Sequence, residues 1–188
     1  MSNRAELLRR KRRVDLARSS LAEAFAEHGH SLVGDWCDLD ESTQLTEACS
    51  RLGSSPSRVI QRWPTKEQFV EVTLACGATG LPGPDLCATV MDAADSEWIR
   101  ATTSVLLTDL VPAAGEWMSD GFIVYDSESD SLLSVDVEEQ NGRSVIETTI
   151  IGSGFNALQD CYAEYGPPSL PIVGQLQRMR PHAHGEES

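Results

Sequence analysis

The chain has 188 residues, 40% of them hydrophobic, with 15 Lys or Arg against 29 Asp or Glu and a formal net charge of −14. That length can bury a substantial core and excludes a small peptide-like module. No run approaches the ~20 uninterrupted apolar residues of a membrane-spanning helix, and the arginine-bearing start lacks the apolar stretch of a secretory signal, so a cytoplasmic protein is expected.

The charge is unevenly spread. Residues 1–76 hold 11 Lys or Arg against 11 Asp or Glu, and residues 77–188 hold 4 against 18, so the acidity belongs to the second half. Seven basic residues fall in the first 18 positions, including Arg9, Arg10, Lys11, Arg12 and Arg13. Such a block beside an acidic body describes a polar molecule with one end suited to phosphates. Five cysteines, Cys37, Cys49, Cys76, Cys87 and Cys161, form no CxxC pair, which points to reduced thiols.

In chain order, Asn3 with Glu6 has the form of a capping box, and Leu7, Val14, Leu21, Ala24 and Phe25 recur at helical spacing until Gly29. His30 to Glu41 reads as an acidic loop. Leu45, Ala48, Cys49 and Leu52 follow the i, i+3, i+4, i+7 pattern of a short amphipathic helix closed by Gly53. Ser55 and Pro56 open a third helix of about two turns that must end before Pro64. Thr65 with Gln68 caps a fourth, running to Gly77. LPGP at 81–84 is a breaker and marks the boundary between a headpiece and a body. Asp85 to Val111 reads as helical. Phe122–Tyr125, Leu132–Val137 and Ser144–Ile151, with the hairpin signal Asn141-Gly142, predict a small antiparallel meander. Ser153 to Tyr165 returns to helical spacing, and the tail at about 180–188 reads as frayed.

LTEACSRL, the turn Gly53-Ser54-Ser55 and PSRVIQRW supply the parts of a helix-turn-helix in order. Val59, Ile60 and Trp63 would pack inward, leaving Ser57, Arg58, Gln61 and Arg62 for base edges. FAEHGH, Phe25 to His30, and TEACSRLGSSPSRVIQRWPTKEQF, Thr46 to Phe69, resemble the tetracycline-repressor (TetR) family of regulators in unbroken register. The resemblance implies a mainly α fold. An N-terminal headpiece of three or four helices (1–76) would be followed by a helical effector-binding and dimerisation body (77–188), carrying the meander at 121–151. It implies Thr43, Ser55, Ser57, Arg58, Gln61, Arg62, Thr65 and Lys66 as DNA contacts, with Thr65 and Lys66 at phosphates. It further implies a homodimer on a palindromic operator, acting as a repressor released by a small-molecule inducer. Trp98, Trp117, Phe122, Tyr125, Phe155 and Tyr162 are the candidate lining of the inducer pocket.

Rival signals are weaker. IIGSGFNA, Ile150 to Ala157, imitates a dinucleotide fingerprint but lacks the buried parallel strand and the later acidic residue. Asp126, Glu128 and Asp130 imitate a calcium loop without its glycine or final glutamate. His28, His30 and Cys37 lack a fourth zinc ligand at sensible spacing. No nucleophile elbow, HExxH or P-loop is present, so neither an enzyme nor a cofactor or metal is expected. The alternatives are an interaction protein that has lost operator binding and an acidic, toxin-neutralising binding module.

Overall fold

Six residues decide the architecture. Arg58–Trp63, expected as the recognition helix, forms a β-strand. Two turns of helix between Pro56 and Pro64 are marginal on their own, and the segment also carries a period of two: Gln61 and Trp63 are buried while Arg62 is exposed. Pairing with a distant strand satisfies its backbone groups, and the strand period wins. The mainly α expectation is thereby overturned, together with the helix-turn-helix.

The computed structural model describes residues 2–29, 35–83, 85–91, 97–116, 118–140 and 142–170. Its elements are α1 (Ser2–Glu27), β1 (Asp35–Trp36), α2 (Leu39–Gly53), β2 (Arg58–Trp63), α3 (Lys66–Gly80), β3 (Asp85–Val90) and β4 (Trp98–Thr102). A helical stretch follows, made of α4 (Thr103–Val105), a π-helical turn (Leu106–Leu110) and α5 (Val111–Ala113). The chain continues through β5 (Gly121–Asp126), β6 (Ser131–Gln140), β7 (Arg143–Ile151), α6 (Asn156–Tyr165) and β8 (Ser169–Leu170). The expected helix over 85–111 is replaced by β3 and β4 in its first two thirds. Leu86, Ala88 and Val90 alternate into the core there, a strand pattern. His30, Trp117, Asn141 and the tail at 180–188 lie outside the described residues.

Among the described residues, eight strands form one sheet in the order β1-β4-β3-β5-β6-β7-β2-β8, every pair antiparallel. The three strands expected over 121–151 do form, as the middle of this sheet rather than as an isolated meander. A boundary at 76 falls inside α3, and β2 lies between β7 and β8, so the headpiece and body share one sheet.

One sheet face carries the main core. Phe122, Val124, Leu133, Val135, Ile146 and Ile150 meet Phe25 of α1, Phe69 of α3, Leu110 and Leu158, all buried. Trp63 packs edge-on to Phe69 and Tyr162, at 5.7 and 4.9 Å between ring centres, and its Nε1 donates to Thr148 Oγ1 at 3.0 Å. Helices α3 and α6 approach closely at Gly80, where any Cβ would stand 2.9 Å from the Leu158 backbone. A disulfide joins them, Cys76 to Cys161, with Cα atoms 5.8 Å apart. The expectation of five reduced thiols is corrected here, because spacing cannot reveal a pair 85 residues apart. Among the described residues no helix is long and apolar enough to cross a membrane.

Candidate ligand cleft

Among the described residues, α2 covers part of the opposite face of the sheet. Asp38 caps α2, its carboxylate accepting from the Glu41 amide at 2.8 Å. This sets α2 down with Leu45, Ala48, Cys49 and Leu52 against Cys87, Trp98, Ile123 and Tyr125. The predicted apolar stripe of this helix is the one observed, though it meets a sheet rather than a recognition helix. Beside α2, no helix among the described residues is packed on this face of β2 and β7.

The strand registers define this face row by row. One row runs Arg58, Ile151, Leu132, Tyr125, Cys87; the next runs Ile60, Thr149, Ser134, Ile123, Thr89, Trp98. Between these rows and α2 lies a cavity of about 380 Å³, lined by Thr46, Cys49 and Ser50 of α2, by Trp98, Ile123, Leu132 and Ile151 on its apolar floor, and by Arg58. That volume falls within the usual range for a small-molecule site.

Most polar groups around the cavity are already committed. Trp98 Nε1 donates to Thr46 Oγ1 at 3.1 Å, and that hydroxyl donates to the Ser42 carbonyl at 2.9 Å. Thr89 Oγ1 donates to the Glu97 carbonyl at 2.7 Å, and Ser134 Oγ to Asp136 Oδ2 at 2.9 Å. Burial, reinforced by Asp130, pushes the Cys49 thiol up to about 12, so it stays protonated and inert at neutral pH. Half-buried Arg58 is different. The other cations of α2, β2, α3 and β4 are answered: Arg62 by Glu147 at 2.7 Å, Lys66 by Glu116 at 2.8 Å, Arg51 by Asp130 at 2.9 Å and Arg100 by Glu41. Arg58 has no hydrogen-bond or ion-pair partner among the described residues.

The residues expected to touch DNA are dispersed. Thr43 is on α2, donating to the Leu39 carbonyl; Ser55 accepts from the Ser57 amide in the α2–β2 turn; Thr65 caps α3 through the Gln68 amide. Gln61 is buried, its Nε2 donating to the carbonyls of Tyr162 at 3.0 Å and Pro167 at 2.7 Å. Arg62 and Lys66 are held in the ion pairs above. Only the capping role of Thr65 is met, and it serves α3. Of the expected pocket aromatics, Trp98 lines the cleft. Tyr125 lies on the same face, its hydroxyl donating to Asp130 at 2.8 Å, and burial with that bond pushes it up to about 12. Phe122, Phe155 and Tyr162 belong to the core on the other face.

The rival motifs resolve into turn chemistry. Asp126 accepts from the Glu128 amide and the Ser129 hydroxyl, closing the β5–β6 turn. The glycines of IIGSGFNA let the β7–α6 turn lie against it: Gly152, at φ +87, abuts Ser131, whose Oγ accepts from the Gly154 amide at 2.8 Å. Sequence reasoning missed Cys87 and Glu41. They stand with Cys37 so that both sulfurs and a carboxylate oxygen lie within 4.8 Å of one another. The Cys37–Cys87 contact, aided by burial, raises Cys37, and the same contact, aided by Arg100, lowers Cys87. Comparison with protein-family models, curated proteins and solved structures returns no match.

Proposed function

We propose that this chain is a non-catalytic binding module whose cleft beside α2 holds a small amphipathic anion, its apolar body over Trp98, Ile123, Leu132 and Ile151 and its charge on Arg58. The observation that carries this reading is the unanswered arginine. In a chain with 29 carboxylate residues against 15 cationic ones, an internal counter-ion is easy to supply, and Arg51, Arg62, Lys66 and Arg100 each have one. A half-buried guanidinium left open above an apolar floor suits a ligand carboxylate, which it can take in bidentate fashion. Among the described residues the lining holds no carboxylate or imidazole to act as a general base, which favours binding over catalysis.

Octanoate and octan-1-ol share a chain and differ in charge. Titration calorimetry is expected to show octanoate binding and to show Arg58→Gln weakening it by about 10- to 150-fold, the worth of one charge-assisted hydrogen-bonding group. The alcohol should bind the two proteins alike. Equal affinity of wild type for acid and alcohol, or no effect of Arg58→Gln, would refute the reading.

A second reading, an acidic surface for a basic polypeptide, is favoured by a different observation. On the open face Asp136 and Glu147 stand directly opposite on paired strands, with Glu138 one step along, and Arg62 reaches only Glu147 closely. Burial, together with Glu147 and Glu138, raises the Asp136 carboxyl above its ordinary range. An incoming cation would relieve that repulsion.

A further inference from the structure

We propose that Cys37, Cys87 and Glu41 form a binding site for a soft divalent cation, zinc above all, at the end of the sheet where α2 begins. The proposal is independent of the cleft and its ligand. Three elements converge to make the site. Cys37 follows β1, its amide donating to the Trp98 carbonyl at 2.9 Å; Glu41 sits in the first turn of α2, fixed by the Asp38 cap; Cys87 is on β3. The two sulfurs and one carboxylate oxygen already lie within 4.8 Å of one another. A tetrahedral zinc with Zn–S of about 2.3 Å and Zn–O of about 2.1 Å requires donor atoms roughly 3.5–3.8 Å apart, so closing on the ion asks for shifts of about 1 Å or less.

The pair is better placed for a shared ion than for a disulfide. The segments carrying Cys37 and Cys87 flank β4. Two ladder spacings of about 4.8 Å separate their backbones by roughly 9–10 Å, beyond the roughly 7 Å limit for a direct bridge. A metal spans that gap by standing between the sulfurs.

The surroundings supply the rest. Cys37 and Cys87 are 3% and 6% exposed, which shields the sulfurs, while the Glu41 side chain, at 36%, leaves a side open for a water as fourth ligand. Arg100 donates to Glu41 Oε1, the outer-shell support usual for a ligating carboxylate. Two thiolates select zinc over magnesium or calcium. On coordination each thiol releases its proton to solvent and no electron moves. Cys76 and Cys161 do not compete, being tied in the disulfide.

The test is titration of the full chain, metal-free and with its disulfide intact, with Co²⁺ as an optical stand-in for zinc. One equivalent is expected to produce a thiolate-to-cobalt charge-transfer band and the visible bands of tetrahedral cobalt, abolished by Zn²⁺ and unaffected by Mg²⁺. Cys49→Ser should titrate like wild type. Cys37→Ser and Cys87→Ser should weaken binding by more than the roughly 10- to 100-fold that loss of an outer-shell group costs. Glu41→Gln, at a half-exposed position that tolerates change, should weaken binding and alter the visible bands, which keeps the test informative if a buried cysteine variant misfolds. Absence of the charge-transfer band in folded wild type, or bands unchanged in Glu41→Gln, would overturn the proposal.

Discussion

Gln61 shows how differently one side chain behaves in a helix and in a strand. On a recognition helix it would face solvent, and its replacement would be nearly neutral for stability. In β2 it is 2% exposed and its amide bridges the carbonyls of Tyr162 and Pro167, tying the end of α6 to the strand. Gln61→Leu keeps much of the volume and leaves both acceptors without their donor, so a loss of about 1–3 kcal/mol is expected. Arg58→Ala should stay within about 0.5 kcal/mol, since its guanidinium holds no partner among the described residues. Urea denaturation of the two variants makes the comparison, and a neutral Gln61→Leu would mean that the register of β2 is misassigned. Trp63 faces inward as a helix residue or a strand residue, because a buried aromatic suits both periods.

Elements that announce themselves locally were legible. The Thr65 cap, the apolar stripe of α2 and the alternation in β5 to β7 each rest on residues a few positions apart, and each forms. Strand β2 was not legible, because Val59, Gln61 and Trp63 make sense only once β7, more than 80 residues later, lies alongside. The cleft failed for a related reason. Arg58 has a reader's chemistry and Trp98 a pocket's, but nothing local puts them on one face or reveals that, among the described residues, Arg62 and Lys66 are answered while Arg58 is not. The same holds for the bond between α3 and α6. It closes a long loop, so removing it with Cys76→Ala and Cys161→Ala is expected to cost about 2–5 kcal/mol. Thermal unfolding checks this, with wild type in reductant falling to the level of the double variant; equal melting of oxidised wild type and double variant would show that helix packing alone suffices.

At the scale of the whole molecule the charge decides between two opposed effects of salt. The ion pairs of Arg51, Arg62, Lys66 and Arg100 involve partly or largely exposed side chains. Pairs this exposed contribute little, and salt weakens them. A net charge of −14 repels itself throughout the folded body. Shortening the screening length from about 30 Å at 0.01 M to about 8 Å at 0.15 M relieves the many unanswered carboxylates more than it harms four pairs. The melting temperature should therefore rise, by about 2–4 °C for each ~1 kcal/mol gained; a fall would show that the pairs dominate. A different consequence follows from the two ends of the sheet. Its outermost strands, β1 and β8, span two residues each. Strands this short at an edge offer a neighbouring molecule little ladder to extend, and the net charge of −14 keeps copies apart, so concentrated solutions should resist fibril growth.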